Sequence, residues 1–123
     1  MSQENVDRFV EQAEAFNRLN QSFHPGDIDR WISFYDPEVR FDPQQAALQG
    51  RPYSGRKGIR EWLTDAAEIY GRGVSIHLAD IRDLGDRVLA LGSLRFHARG
   101  SGIDTEAPVA VVATFQDLSL IHI

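Results

Sequence analysis

Apolar side chains recur at helical spacing three times in the first seventy residues, and at a period of two after that. Val6, Phe9, Val10, Ala13 and Phe16 form the first stripe, which predicts a helix over residues 5–20, capped by Asn5 or Ser2. His24-Pro25-Gly26 interrupts it. Asp27 is then placed to cap a second helix whose Ile28, Trp31, Ile32 and Tyr35 share one face, and Asp36-Pro37 is placed to end it. Val39, Phe41 and Pro43 alternate with Arg40 and Asp42, the period of a short strand. Residues 44–56 are polar and carry Gly50, Pro52 and Gly55, which reads as a long loop. A third helix is predicted near 56–70, with Ile59, Trp62, Leu63, Ala66 and Tyr70 on one side and Gly71 and Gly73 as its stop.

Beyond Gly73 the alternation is that of strands. Val74, Ile76 and Leu78 alternate with Ser75, His77 and Ala79; Leu84-Gly85-Asp86-Arg87 is a turn; a long strand runs from Val88 to about Ala98. Gly100-Ser101-Gly102 makes a second reversal, and Glu106 to Phe115 a third strand with Ala107, Val109, Val111, Ala113 and Phe115 on one face. Strands joined by tight turns are antiparallel. The pattern predicts an α+β domain: three N-terminal helices packed on one face of a curved antiparallel sheet. The later strands are apolar on both faces, so the outer sheet face is expected to be covered by a second copy in a homodimer.

Composition adds exclusions. A chain of 123 residues is one domain with enough core to fold without cross-links. It has no cysteine, which removes disulfides and thiolate chemistry and fits a cytoplasmic setting. A net charge of −5 supplies no basic footprint for nucleic acid. No apolar run is long enough to span a bilayer. The expected partner is an apolar small molecule.

Asp42 is the strongest chemical candidate, because it ends a strand beside apolar residues. A carboxylate in a dry pocket has a raised pKa and acts as a base near neutral pH. The alternative is that Asp42-Pro43 simply ends the strand and faces water. His77 and His97 are the other titratable strand residues. A two-residue turn at Gly85-Asp86 pairs His77 with Leu94 and puts the two histidines on opposite faces, too far apart to share a metal; a bulge changes that register. No metal site and no cofactor are expected. Among the aromatics, Tyr53 lies on the loop before the third helix and is the one most exposed to a ligand. Trp62 and Tyr35 divide between core and pocket wall.

The order of these elements resembles the nuclear transport factor two-like superfamily, and within it the SnoaL-like, polyketide-cyclase-like branch. The resemblance rests on Pro25-Gly26-Asp27-Ile28-Asp29, on Gly55-Arg56-Lys57-Gly58-Ile59-Arg60-Glu61-Trp62, and on Gly85-Asp86-Arg87-Val88-Leu89. Gly100-Ser101-Gly102-Ile103 and Ala107-Pro108-Val109 complete it. It implies a cone whose interior binds small apolar molecules, often in a homodimer. Ketosteroid isomerase relatives carry a general-base Asp in an Asp-Pro pair on the first strand, which matches Asp42-Pro43. Their oxyanion-holding Tyr and Asp fall near Phe16 and Ala110, which donate no side-chain hydrogen bond, so steroid isomerisation is not expected; the Tyr53 hydroxyl is a weak substitute. The reading is a cofactor-independent isomerase, cyclase or dehydratase. Asp42 moves a proton on a carbonyl-bearing ligand held by Phe16, Trp31, Tyr35, Tyr53, Trp62, His77 and Phe96. The alternative is a non-catalytic ligand-binding or dimerisation module. The family ends with one more strand, but here Asp117 runs into Leu-Ser-Leu-Ile-His-Ile, which a common transposon-end sequencing adapter also encodes. The domain is therefore expected to span 1–117, with 118–123 a non-native tail and the last strand missing.

Overall fold

A computed structural model describes residues 2–43, 50–70, 73–97 and 104–123. The three helices are α1 (Ser2–Ser22), α2 (Pro25–Ile32) and α3 (Gly55–Tyr70). Phe9, Ala13 and Phe16 of the predicted stripe are buried on α1, Val6 and Val10 are half-buried, and Leu19 extends the buried face. Neither Ser2 nor Asn5 precedes α1: both lie within it, and the Asn5 amide donates to the Gly85 carbonyl across the molecule. Helix α2 is capped by His24, not Asp27. His24 is extended (φ −70°, ψ 136°), and its Nδ1 accepts the Gly26 N–H at 3.0 Å. Pro25 follows at the start of the helix, where a missing N–H costs nothing. Asp27 lies in the first turn and accepts from the Ser22 hydroxyl at 2.6 Å.

Tyr35 and Asp36-Pro37 belong to a strand and not to the second helix. That strand, β1 (Tyr35–Phe41), is followed by β2 (Tyr53–Ser54), β3 (Ser75–Asp83), β4 (Arg87–His97), β5 (Asp104–Gln116) and β6 (Ser119–His122). They form one sheet in the order β2-β1-β6-β5-β4-β3. All neighbours are antiparallel except β1 and β6, which run parallel. Pro37 is tolerated because β1 is irregular there: Tyr35 pairs with Leu120 and Arg40 with His122, so five steps on β1 match two on β6. The Asp36 carboxylate takes the Glu38 N–H at 2.9 Å inside that irregularity. The sheet's last strand is thus present as a four-residue segment formed by residues 119–122, and its Leu120 is fully buried.

The Gly85-Asp86 turn sets the register of the β3–β4 hairpin from Asp83↔Val88 to Asp80↔Leu91. A bulge at Ala79 then shifts it by one, so His77 faces Ser93 and not Leu94. The extra residue keeps Ile81, Leu78 and Ile76 on the inner face although Leu78 and Ile81 are three apart. Gly92 sits opposite the bulge, where a Cβ would lie 2.0 Å from the His77 carbonyl oxygen, so only glycine fits. Asn17 clips the outer edge of β3 to α1. Its amide donates to the Ile76 carbonyl at 2.9 Å, and its oxygen accepts the Ile76 N–H at 2.7 Å.

Helices and inner sheet face enclose a single core containing Phe9, Leu19, Trp31, Phe34, Tyr35, Val39, Ile59, Val88, Ala113 and Leu120. The expected Gly71 stop, the reversal at residues 100–102 and residues 44–49 of the expected 44–56 loop lie outside the described residues, as do the side chains of Tyr70 and His97, while residues 53–54 of that loop form β2 and Gly55 opens α3.

Candidate functional site

The wide end of the cone is hollow. Its cavity measures about 850 Å³ and is bounded by α1, α2, α3, the end of β1 and the inner faces of β4 and β5. Phe16, Trp31, Tyr35 and Trp62, read from the sequence as ligand contacts, all line it, and so does Phe96. The rings form a continuous cluster: Phe16 lies 5.4 Å from Trp31 and 5.9 Å from Trp62, while Trp31 meets Tyr35 edge-on at 5.2 Å. Phe41 stands edge-on to Trp62 at 4.9 Å and joins the wall. Such pairs prefer tilted and edge-on contact, which leaves flat faces for a flat guest.

Two polar residues inside the cone were not picked out from sequence. Gln12 and Asn20 are buried on the α1 face that carries Phe9 and Phe16, and both line the cavity. A polar residue on an apolar helical stripe was the available signal. Asn20 is satisfied locally by the Phe16 carbonyl, at 2.8 Å. Gln12 reaches across instead: its amide donates to the Tyr35 hydroxyl at 2.9 Å. Burial pushes the Tyr35 phenol far above its ordinary value, and the Gln12 amide and the neighbouring Trp31 indole offset only part of that. The indole contact is not a well-formed hydrogen bond. Trp31 Nε1 is the one buried side-chain polar atom without a partner among the described residues.

Asp42 borders the cavity at its open end and not in a dry interior. Its carboxylate is about one-third exposed (35 %), held by His122 Nε2 at 2.8 Å and by Arg40 Nε at 2.9 Å. These two contacts, the histidine first, hold its pKa below the usual carboxylate value. The sequence reading had it raised; the local cause is that Arg40 and His122 meet the group where an apolar wall was expected. The backbone there is fixed by Asp42 N–H donating to the Ile123 carbonyl at 2.8 Å. Strand β6 pairs with β5 only over residues 114–116, so among the described residues the β5 edge beside the cavity carries no further strand.

Two expected ligand contacts lie elsewhere. Tyr53 is buried in the core, outside the cavity lining, and its hydroxyl donates to Asp65 at 2.8 Å. Burial, with the Asp65 carboxylate beside it, pushes that phenol up to about 12. His77 is exposed on the outer sheet face, 2.9 Å from the Ser75 hydroxyl, because the Ala79 bulge turns it away from the cone. No group of His, Asp and Glu that could hold a metal occurs among the described residues. No helix among them is long and apolar enough to cross a membrane.

Solved structures share this architecture. TerC, co-crystallised with polyporic acid, superposes with a TM-score of 0.78 at 20 % identity, covering 97 % of this chain and 87 % of TerC. A nuclear transport factor two-like protein of unknown function from Burkholderia pseudomallei gives 0.76 at 18 % identity, with coverages of 97 % and 86 %. A candidate SnoaL-like polyketide cyclase from Jannaschia sp. gives 0.73 at 16 %, with 98 % and 82 %. At such identities the likeness is one of fold. A comparison with curated proteins found no significant match. The profile of the SnoaL-like domain matches residues 13–122, nearly the whole α+β cone, and the chain belongs to the SnoaL-like family.

Proposed function

We propose that the cone holds a flat, largely apolar small molecule and that ligand binding is what this chain does first. The observation that carries this is the cavity itself: about 850 Å³ of ring-lined space, within the roughly 300–1,000 Å³ of sites for drug-sized ligands. Its polar groups fall in two places, Gln12, Asn20, Trp31 and Tyr35 inside and Asp42 with His122 at the mouth. A similar protein, TerC, was crystallised with a small organic molecule, which supports the reading by likeness of fold. His122 and Ile123, at the end of the chain, also line the cavity.

A second reading is catalytic: an isomerase, cyclase or dehydratase without cofactor, in which Asp42 takes a proton from a carbon beside a carbonyl. In its favour, Asp42 borders the cavity and is held ionised. Against it, a lowered pKa makes a weak base at neutral pH. Asp42→Asn separates the two. Retained affinity with lost turnover of a carbonyl-bearing ligand establishes the catalytic reading; equal behaviour of both proteins leaves binding alone. Failure of any flat aromatic probe to bind the unaltered chain rules out both.

The same proposal includes a homodimer formed through the outer sheet face. On that face Val112 is 48 % exposed, with Ala110 and Pro108 beside it on β5 and Leu89 and Leu91 opposite. Sedimentation equilibrium at tens of micromolar protein is expected to give twice the chain mass, and Val112→Glu to give a monomer.

A further inference from the structure

We propose that Gln12 and Asn20 set the specificity of the cone as two hydrogen-bond acceptors, one for each end of the guest. The guest is then an elongated molecule with a hydroxyl or N–H donor at both ends of its ring system, and it needs no carbonyl. The inference rests on the cone being a ligand site and goes beyond it by naming the groups that the guest offers and the two residues that meet them.

Gln12 and Asn20 are 6 % and 7 % exposed, and both line the cavity. The Phe16 carbonyl satisfies the Asn20 side-chain nitrogen, at 2.8 Å, and does nothing for its oxygen. Only the nitrogen of a carboxamide can donate to a carbonyl, so this contact fixes which way the group points and turns Oδ1 away. The Gln12 nitrogen donates to the Tyr35 hydroxyl at 2.9 Å and leaves Oε1 in the same state. Neither oxygen meets a donor among the described residues. Nor is either one sealed. Trp31 Nε1 is the one sealed and unpartnered buried side-chain polar atom among these residues, so both oxygens keep accessible surface. With more than nine-tenths of each residue buried, that surface opens on the cavity they line. Buried acceptors are rarely left bare, because a bare one loses its hydration with no return.

Gln12, Phe16 and Asn20 follow one another at intervals of four on α1, so they share a stripe about 12 Å long with the ring in the middle. Phe16 lines the same space, tilted against Trp31 and Trp62. A fused bicyclic ring laid over Phe16 presents its two ends to the two oxygens. No Lys or Arg occurs among the described residues that line the cavity, so an anionic guest finds no counter-charge there. Neutral donors are the polar groups that fit.

The test compares 2,6-dihydroxynaphthalene with 2,6-dimethylnaphthalene, which has nearly the same shape but no donor, and with 2,6-dimethoxynaphthalene, whose oxygens only accept. Equilibrium dialysis gives the affinities. The diol is expected to bind about tenfold tighter than either of the others, the equivalent of one well-made hydrogen bond to a buried acceptor. In Asn20→Leu and in Gln12→Leu that preference should shrink toward unity, while affinity for the dimethyl compound, which reports an intact cavity, is retained. Carbon spectra of a ¹³C,¹⁵N-labelled sample give a second readout. The Asn20 side-chain carbonyl carbon, assigned by through-bond correlation to its own backbone, is expected to move downfield with the diol relative to its position with the dimethyl compound; ring-current effects are shared by the two probes and cancel. Equal binding of these two probes with that carbon unmoved overturns the acceptor pair and leaves the ligand cavity standing, and so does a diol preference that survives both substitutions. If none of the three binds, the cavity reading fails and this inference with it. The spectra of the unaltered chain decide the matter even if a variant does not fold.

Discussion

Asn17→Ala tests whether the clip between α1 and β3 holds the cone in shape. Asn17 satisfies both backbone groups of Ile76, at 2.9 and 2.7 Å, across 59 residues of sequence. Since β3 is an edge strand of the sheet, no neighbouring strand can replace those bonds. Each hydrogen bond contributes about 0.5–1.5 kcal/mol net, and an unsatisfied buried partner costs about 1–3 kcal/mol. The site is only partly buried, so water recovers some of this, and the gross loss is about 2.5 kcal/mol. Alanine is the better helix former by roughly 0.6 kcal/mol, which works in the opposite direction. The net destabilisation is then about 2 kcal/mol, or a fall in Tm of roughly 6–10 °C for a domain of this size. Urea unfolding gives the free energy. Amide exchange gives the location, because the Ile76 N–H should lose protection first. A loss under about 0.5 kcal/mol, or an unchanged Ile76 exchange rate, would refute the reasoning.

Three further outcomes follow from particular contacts. Gly92→Ala places a methyl group 2.0 Å from the His77 carbonyl oxygen; the β3–β4 bulge must shift, and a loss of about 3 kcal/mol is expected in urea unfolding. Leu120→Ala removes a fully buried side chain between β1 and β5. It should cost about 2–5 kcal/mol, whereas a loss under about 0.5 kcal/mol would show that residues 119–122 do not pack as a strand. At alkaline pH, Tyr35 and Tyr53 have folded pKa values raised above their unfolded values, so the stability they contribute is complete below about pH 10 and lost as pH rises beyond it. The midpoint of unfolding should fall between pH 10 and 12, and Tyr53→Phe should make that fall shallower.

The helices were legible because a 3.6-residue stripe admits one folding answer, and Phe9, Phe16, Trp31, Ile59 and Leu63 are buried where the stripe puts them. Tyr35 was misread because one apolar residue after a helical stripe fits either period. Only pairing with Leu120, 85 positions away, makes it the first residue of a strand. The hairpin register was right as far as Asp80 and wrong beyond it, since nothing local marks Ala79 as a bulge. The clue was Gly92 on the partner strand. Within the site, the aromatic wall was visible in the sequence and the state of Asp42 was not. That state depends on Arg40 two residues away and on His122, 80 positions along the chain. Gln12 and Trp31 gain their meaning only when α1, α2 and β1 meet, so no linear pattern announces them.

The most direct measurement of the central claim is binding to a cone that has been filled. Ala67 lines the cavity and is half-buried, so a larger side chain there enters existing space. Titration of 2-acetylnaphthalene against tryptophan fluorescence should saturate at one molecule per chain in the unaltered protein. In Ala67→Phe the signal should disappear with Tm unchanged. Undiminished binding by Ala67→Phe would place the probe outside the cone and contradict the account.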